Sequence, residues 1–79
     1  MHYLGQVRGL GYNGKLLVKC EFAPKLELEV LDNSMRVIGI VNRIFGPVES
    51  PYISVKPPKE FRPSLDIVGK SVYIKNKGN

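Results

Sequence analysis

Leu16, Val18, Cys20 and Phe22 alternate with Leu17, Lys19 and Glu21, and this two-residue period recurs along the chain. Leu26, Leu28 and Val30 alternate with Glu27 and Glu29; Ile53 and Val55 alternate with Ser54 and Lys56; Val72 and Ile74 flank Tyr73. Successive side chains of an extended strand point to opposite faces. Each stretch therefore reads as a strand with one face inward and one toward water. No helical stripe of convincing length competes with it. Valine and isoleucine number 15 against a single alanine, Ala23. Such β-branched side chains fit a pleated surface and lose rotamer freedom in helices.

Two further strands are less regular. Residues 3–9 place Tyr3, Gly5, Val7 and Gly9 on one phase, as in a strand crowded by a neighbour. Residues 36–45 are apolar on both phases, which a strand covered on both faces would explain. Turn signals separate the runs. Asn13-Gly14 is a hairpin turn because both residues tolerate positive φ, and Asp32-Asn33-Ser34 is a second turn cluster. Gly46-Pro47 and Ser50-Pro51 interrupt the chain again, and Pro57, Pro58 and Pro63 make residues 57–66 a loop. The expectation is an all-β fold: a small six-stranded antiparallel β-barrel over residues 1–75, with residues 76–79 a frayed tail.

A chain of 79 residues holds one domain, with room for a core and little for a deep cleft. Its formal charge is +5. Residues 1–55 carry a net +1 and residues 56–79 a net +4. A basic segment attracts phosphate; it equally makes a solvated surface. Cys20 is the only cysteine, so there is no internal disulfide and no sign of an oxidising compartment. The first residues lack the charged and apolar regions of a signal peptide, and the apolar run Val37 to Val41 is too short to span a membrane. The expected location is the cytoplasm.

Several motifs invite a chemical reading. Gly9 to Gly14 satisfies G-x-G-x-x-G, and Gly9 to Lys15 satisfies most of the phosphate-loop pattern. Both need a helix immediately afterwards to hold phosphate. The residues next in the chain, Leu16-Leu17-Val18-Lys19-Cys20, alternate instead, so the segment reads as strand, turn and returning strand. A zinc site needs about four ligands, and only His2 and Cys20 are typical ones. Cys20 shares the inward phase with Leu16 and Val18 and reads as a small core hydrophobe. Glu27 and Glu29 share the outward phase, and no acid–base pair is positioned for catalysis. The expectation is a protein without catalytic residues, cofactor or metal.

Two segments suggest binding. Lys56, Lys59, Phe61, Arg62, Lys70, Lys75 and Lys77 form a basic set with one aromatic ring, and bases stack on rings flanked by cations. Phe61 could equally cap the barrel. The second segment is the Gly-Pro corner. Val41, Ile44, Phe45, Pro47, Val48, Pro51 and Tyr52 cannot all point inward, and contiguous exposed apolar groups mark interaction surfaces. A loop folded over a barrel mouth is the other reading.

The run Gly39-Ile40-Val41-Asn42-Arg43-Ile44-Phe45-Gly46-Pro47-Val48, continued by Pro51-Tyr52-Ile53-Ser54-Val55-Lys56, resembles the core domain of the Gar subunit of H/ACA ribonucleoproteins. Gly5-Gln6-Val7, Asn13 to Lys19 and Val68 to Ile74 resemble its opening hairpin and closing strand, so the likeness covers nearly the whole chain. The glycine–arginine repeats of eukaryotic members are missing, as in the archaeal form. The resemblance implies a barrel similar to the second domain of translation elongation factors. It also implies a non-catalytic subunit that docks on the particle's pseudouridine synthase and assists substrate RNA loading and product release. Val41, Ile44, Phe45, Gly46, Pro47, Val48, Pro51 and Tyr52 are the expected partner surface, with RNA met mainly indirectly and no membrane or small-molecule substrate. The alternative is a small basic barrel that binds RNA directly.

Overall fold

The computed structural model describes residues 2–11, 13–60 and 65–75. Six strands appear in chain order: β1 (His2–Leu10), β2 (Leu16–Cys20), β3 (Glu29–Leu31), β4 (Val37–Phe45), β5 (Tyr52–Lys56) and β6 (Ser71–Ile74). They close into an antiparallel barrel in the order β1-β2-β5-β4-β3-β6. A 3-10 turn, Leu65–Ile67, lies between β5 and β6. Among the described residues no helix is long and apolar enough to cross a membrane.

The alternation in β2, β5 and β6 translates directly into burial. Leu16, Val18 and Cys20 point into the barrel with Ile53, Val55, Val72 and Ile74, all at most 1% exposed. Among the described residues no polar or charged residue is buried with them. The core is thus an apolar rod walled by its own backbone hydrogen bonds, which leaves no buried side-chain nitrogen or oxygen unsatisfied among those residues.

β4 departs from simple alternation for a structural reason. It pairs with β3 and β5 through irregular registers that leave Ile38 and Asn42 as extra residues. A β-bulge shifts the side-chain phase by one residue and sharpens the bend. Ile38 and Val41, three apart, therefore both reach the core. The expectation of a strand covered on both faces is replaced by a bulged strand: Val37 and Ile40 are half-buried outside, while Arg43, Ile44 and Phe45 are exposed. Gly39 lies where β4 meets β5, and a Cβ there would stand 2.6 Å from Val55 Cγ1.

β3 is shorter than the alternation of Leu26, Leu28 and Val30 implies. Glu27 takes φ of 68°, which breaks an extended strand, and Leu26 is 58% exposed rather than inward. Phe22 likewise lies beyond β2 and packs half-buried against the core. The Asn13-Gly14 turn forms as expected: Gly14 has φ of 84°, Gly11 N donates to Lys15 O at 2.8 Å, and Asn13 Oδ1 accepts from Lys15 N at 3.1 Å. The glycine-rich stretch there opens a strand, not a helix. The expected tail, residues 76–79, lies outside the described residues.

Because each strand runs opposite to its neighbours, the barrel has two distinct ends. One, the hairpin end, gathers the turn around residues 13–15, the turn at 32–36 and the stretches 57–60 and 65–70. The other, the corner end, gathers residues 21–28, the corner 46–51, the start of β1 and the finish of β6.

Candidate functional site

The corner begins where β4 outruns its partner β3. The last register pair of β3 and β4 toward this end is Glu29 with Ile40, so Arg43, Ile44 and Phe45 extend past it and pair only with β5. Phe45 and Tyr52 are register partners, and their rings stack with centroids 6.0 Å apart and planes 17° from parallel. Between them the chain reverses at Gly46. Its φ is +91°, which favours glycine, and a Cβ there would crowd the ring at 3.2 Å from Tyr52 Cδ2.

The corner is tied to β2 from below. Lys19 Nζ lies 4.3 Å from the centre of the Tyr52 ring and donates to Ser50 O at 3.0 Å. Ser50 Oγ donates to Cys20 O at 2.9 Å, and Cys20 N donates to Pro51 O at 2.8 Å. A cation over a ring attracts its negative face. Here the same ammonium also holds the loop, so Tyr52 and the corner are tied together.

Exposure decides which expected residues form the surface. Ile44 is 37% exposed, Phe45 42% and Val48 91%, with Gly46 and Pro47 also exposed and Tyr52 half-buried. Val48 stands clear of the barrel. Two expected members are corrected. Val41 is 0% exposed because it pairs with the inward Val55, and the bulge at Asn42 separates its phase from that of Phe45. Pro51 is buried where its carbonyl joins β2.

The expected basic set is not brought together. Lys56, Lys59 and Lys70 are exposed at the hairpin end, whereas Lys75 comes directly after β6 at the corner end. Phe61, Arg62 and Lys77 lie outside the described residues.

Two features were missed in the sequence. The clamp by Lys19 depends on its register with Tyr52, across more than 30 residues, and local alternation marks Lys19 only as a solvent-facing charge. A second aromatic pair, Tyr3 and Tyr73, lies edge-to-face at 5.9 Å on the outer wall. Leu31, the register partner of Tyr73, is 0% exposed yet stands apart from the core cluster.

No protein-family model matches the chain. Among curated proteins it is similar to an uncharacterized protein from Methanothermobacter thermautotrophicus, 30% identical over 76 residues that span 94% of this chain and 83% of that relative.

Proposed function

This chain belongs to the same family as the Methanothermobacter thermautotrophicus protein, and we propose that it is a non-catalytic subunit of an H/ACA guide-RNA pseudouridine synthase particle. It docks on the catalytic subunit and assists substrate RNA loading and product release during pseudouridylation of ribosomal RNA, in the cytoplasm of an archaeal cell. Ile44, Phe45, Gly46, Pro47, Val48 and Tyr52 form the docking surface.

The observation that carries this reading is the exposed apolar corner. A 79-residue chain with an apolar core leaves Phe45 and Val48 in water at a backbone bend that favours glycine. Stacking on Tyr52 and the Lys19 clamp hold the bend in shape, and a surface already ordered loses less entropy on binding. Aromatic anchors dominate many interfaces. The resemblance of residues 39–56 to the Gar core domain names the partner.

Binding of the purified chain to the pseudouridine synthase of the same organism tests the proposal. Phe45→Ala and Tyr52→Ala should each weaken it by about 2 kcal/mol or more, roughly thirtyfold in Kd. Full-strength binding by both variants, with unchanged circular dichroism, would rule the surface out.

A further inference from the structure

We infer that the hairpin end of the barrel is an electrostatic docking face for the phosphodiester backbone of a nucleic acid. The basic residues do not divide along the sequence as the C-terminal enrichment suggests; they divide along the barrel. Arg8, Lys15, Arg36, Lys56, Lys59 and Lys70 lie on the last residues of β1 and β5 or in the connections of that end. They face only Asp32, Glu60 and Asp66 there among the described residues. At the corner end Lys19, Lys25, Arg43 and Lys75 are matched by Glu21, Glu27, Glu29 and Glu49. Thus the excess charge of the described residues collects at one end.

These charges also face solvent. All except the half-buried Lys15 are exposed. Asp32, the acid nearest Arg36 in sequence, already commits its Oδ1 to the backbone N–H groups of Ser34 and Arg36, at 2.8 and 2.9 Å.

The residue types favour phosphate over an acidic protein. Protein interfaces are depleted in lysine, while lysine serves phosphate as a compact point charge. Four of the six are lysines. The molecule measures 28 × 24 × 20 Å. Its end therefore spans about six phosphates of one strand at about 3.4 Å each. Contacts of this kind fix position and read no sequence.

The test needs no synthase, so its failure and the failure of the corner docking are separate events. Fluorescence anisotropy would track the full chain binding a short mixed-sequence RNA duplex across salt concentrations. The triple variant Lys15→Gln/Lys56→Gln/Lys70→Gln is compared with Lys25→Gln/Arg43→Gln/Lys75→Gln, which removes the same three charges from the formal +5. The hairpin-end variant should bind about tenfold or more weakly and flatten the slope of log K against log salt by about 2 to 3. The corner-end variant should bind nearly as the parent does. Equal losses in the two variants would overturn the inference, since net charge alone would then explain binding. So would a parent chain that prefers phosphatidylserine vesicles or a polyglutamate peptide to the RNA. Thermal melting of both variants establishes that each remains folded.

Discussion

Cys20 is 1% exposed inside the barrel, and burial pushes its thiol from the ordinary 9.0 up to about 12, against a smaller opposing pull from Lys19. Burial disfavours the thiolate because the apolar core cannot solvate its charge. This fixes the sign of the pH effect. A folded-state value above the unfolded one means that the stabilisation is fully present below pH 9 and is lost as pH rises toward 12. Between those limits the parent chain should lose about 1.4 kcal/mol per pH unit relative to Cys20→Ala. Urea denaturation of both proteins from about pH 8 to about pH 10.5 measures this difference, and parallel curves would refute it. Below pH 9 Cys20→Ala should be the less stable of the two, because truncation leaves a small void. The inward placement of Cys20 was legible from its phase with Leu16 and Val18. By contrast, Val41 was misplaced because phase cannot be carried across a bulge that sequence does not announce.

At the level of elements, the β3–β4 hairpin depends on one carboxylate. Asp32 Oδ1 accepts from Ser34 N and Arg36 N, while Asp32 N donates to Arg36 O at 2.9 Å and Met35 N to Asp32 O at 3.0 Å. Met35 is thereby held at φ of 65°, a conformation uncommon for a non-glycine residue. Asp32→Ala should cost about 1–2 kcal/mol in chemical denaturation. Asp32→Asn should recover most of it, since its amide oxygen can accept the same bonds; equal losses in the two variants would count against this role. The turn cluster was readable from Asp32-Asn33-Ser34 because Asp side chains bond to nearby backbone. The extent of β3 was not. Leu26, Leu28 and Val30 keep a strand's period, but Glu27 adopts a positive φ, and nothing about an isolated glutamate signals that.

The whole barrel closes most thinly between β3 and β6, where Leu31 and Tyr73 form the one register pair. By comparison, β1 and β2 share five. Side chains reinforce the seam: Tyr3 packs edge-on against Tyr73, and Leu31, paired with Tyr73, is fully buried. Local opening draws on the regions with fewest hydrogen bonds. Native-state hydrogen exchange should therefore release the amides of β3 at lower free energy than those of β1 and β2. Uniform protection around the barrel would show instead that closure is fully cooperative. Alternation and turn spacing made the six-stranded barrel legible, because each strand needs a covered face and so small a sheet needs closure. The Lys19 clamp and the polarity of charge between the two ends were hidden, since both arise from registers between strands distant in sequence.

Closure also limits how this molecule can meet others. Every strand already has a neighbour on each flank, so the wall offers no whole free edge where a foreign peptide could zip on as a seventh stave. Companions must read what protrudes from the cask: greasy knobs at one lid, ammonium groups at the other. A protein built this way can sit between two unlike guests without its own frame being prised apart.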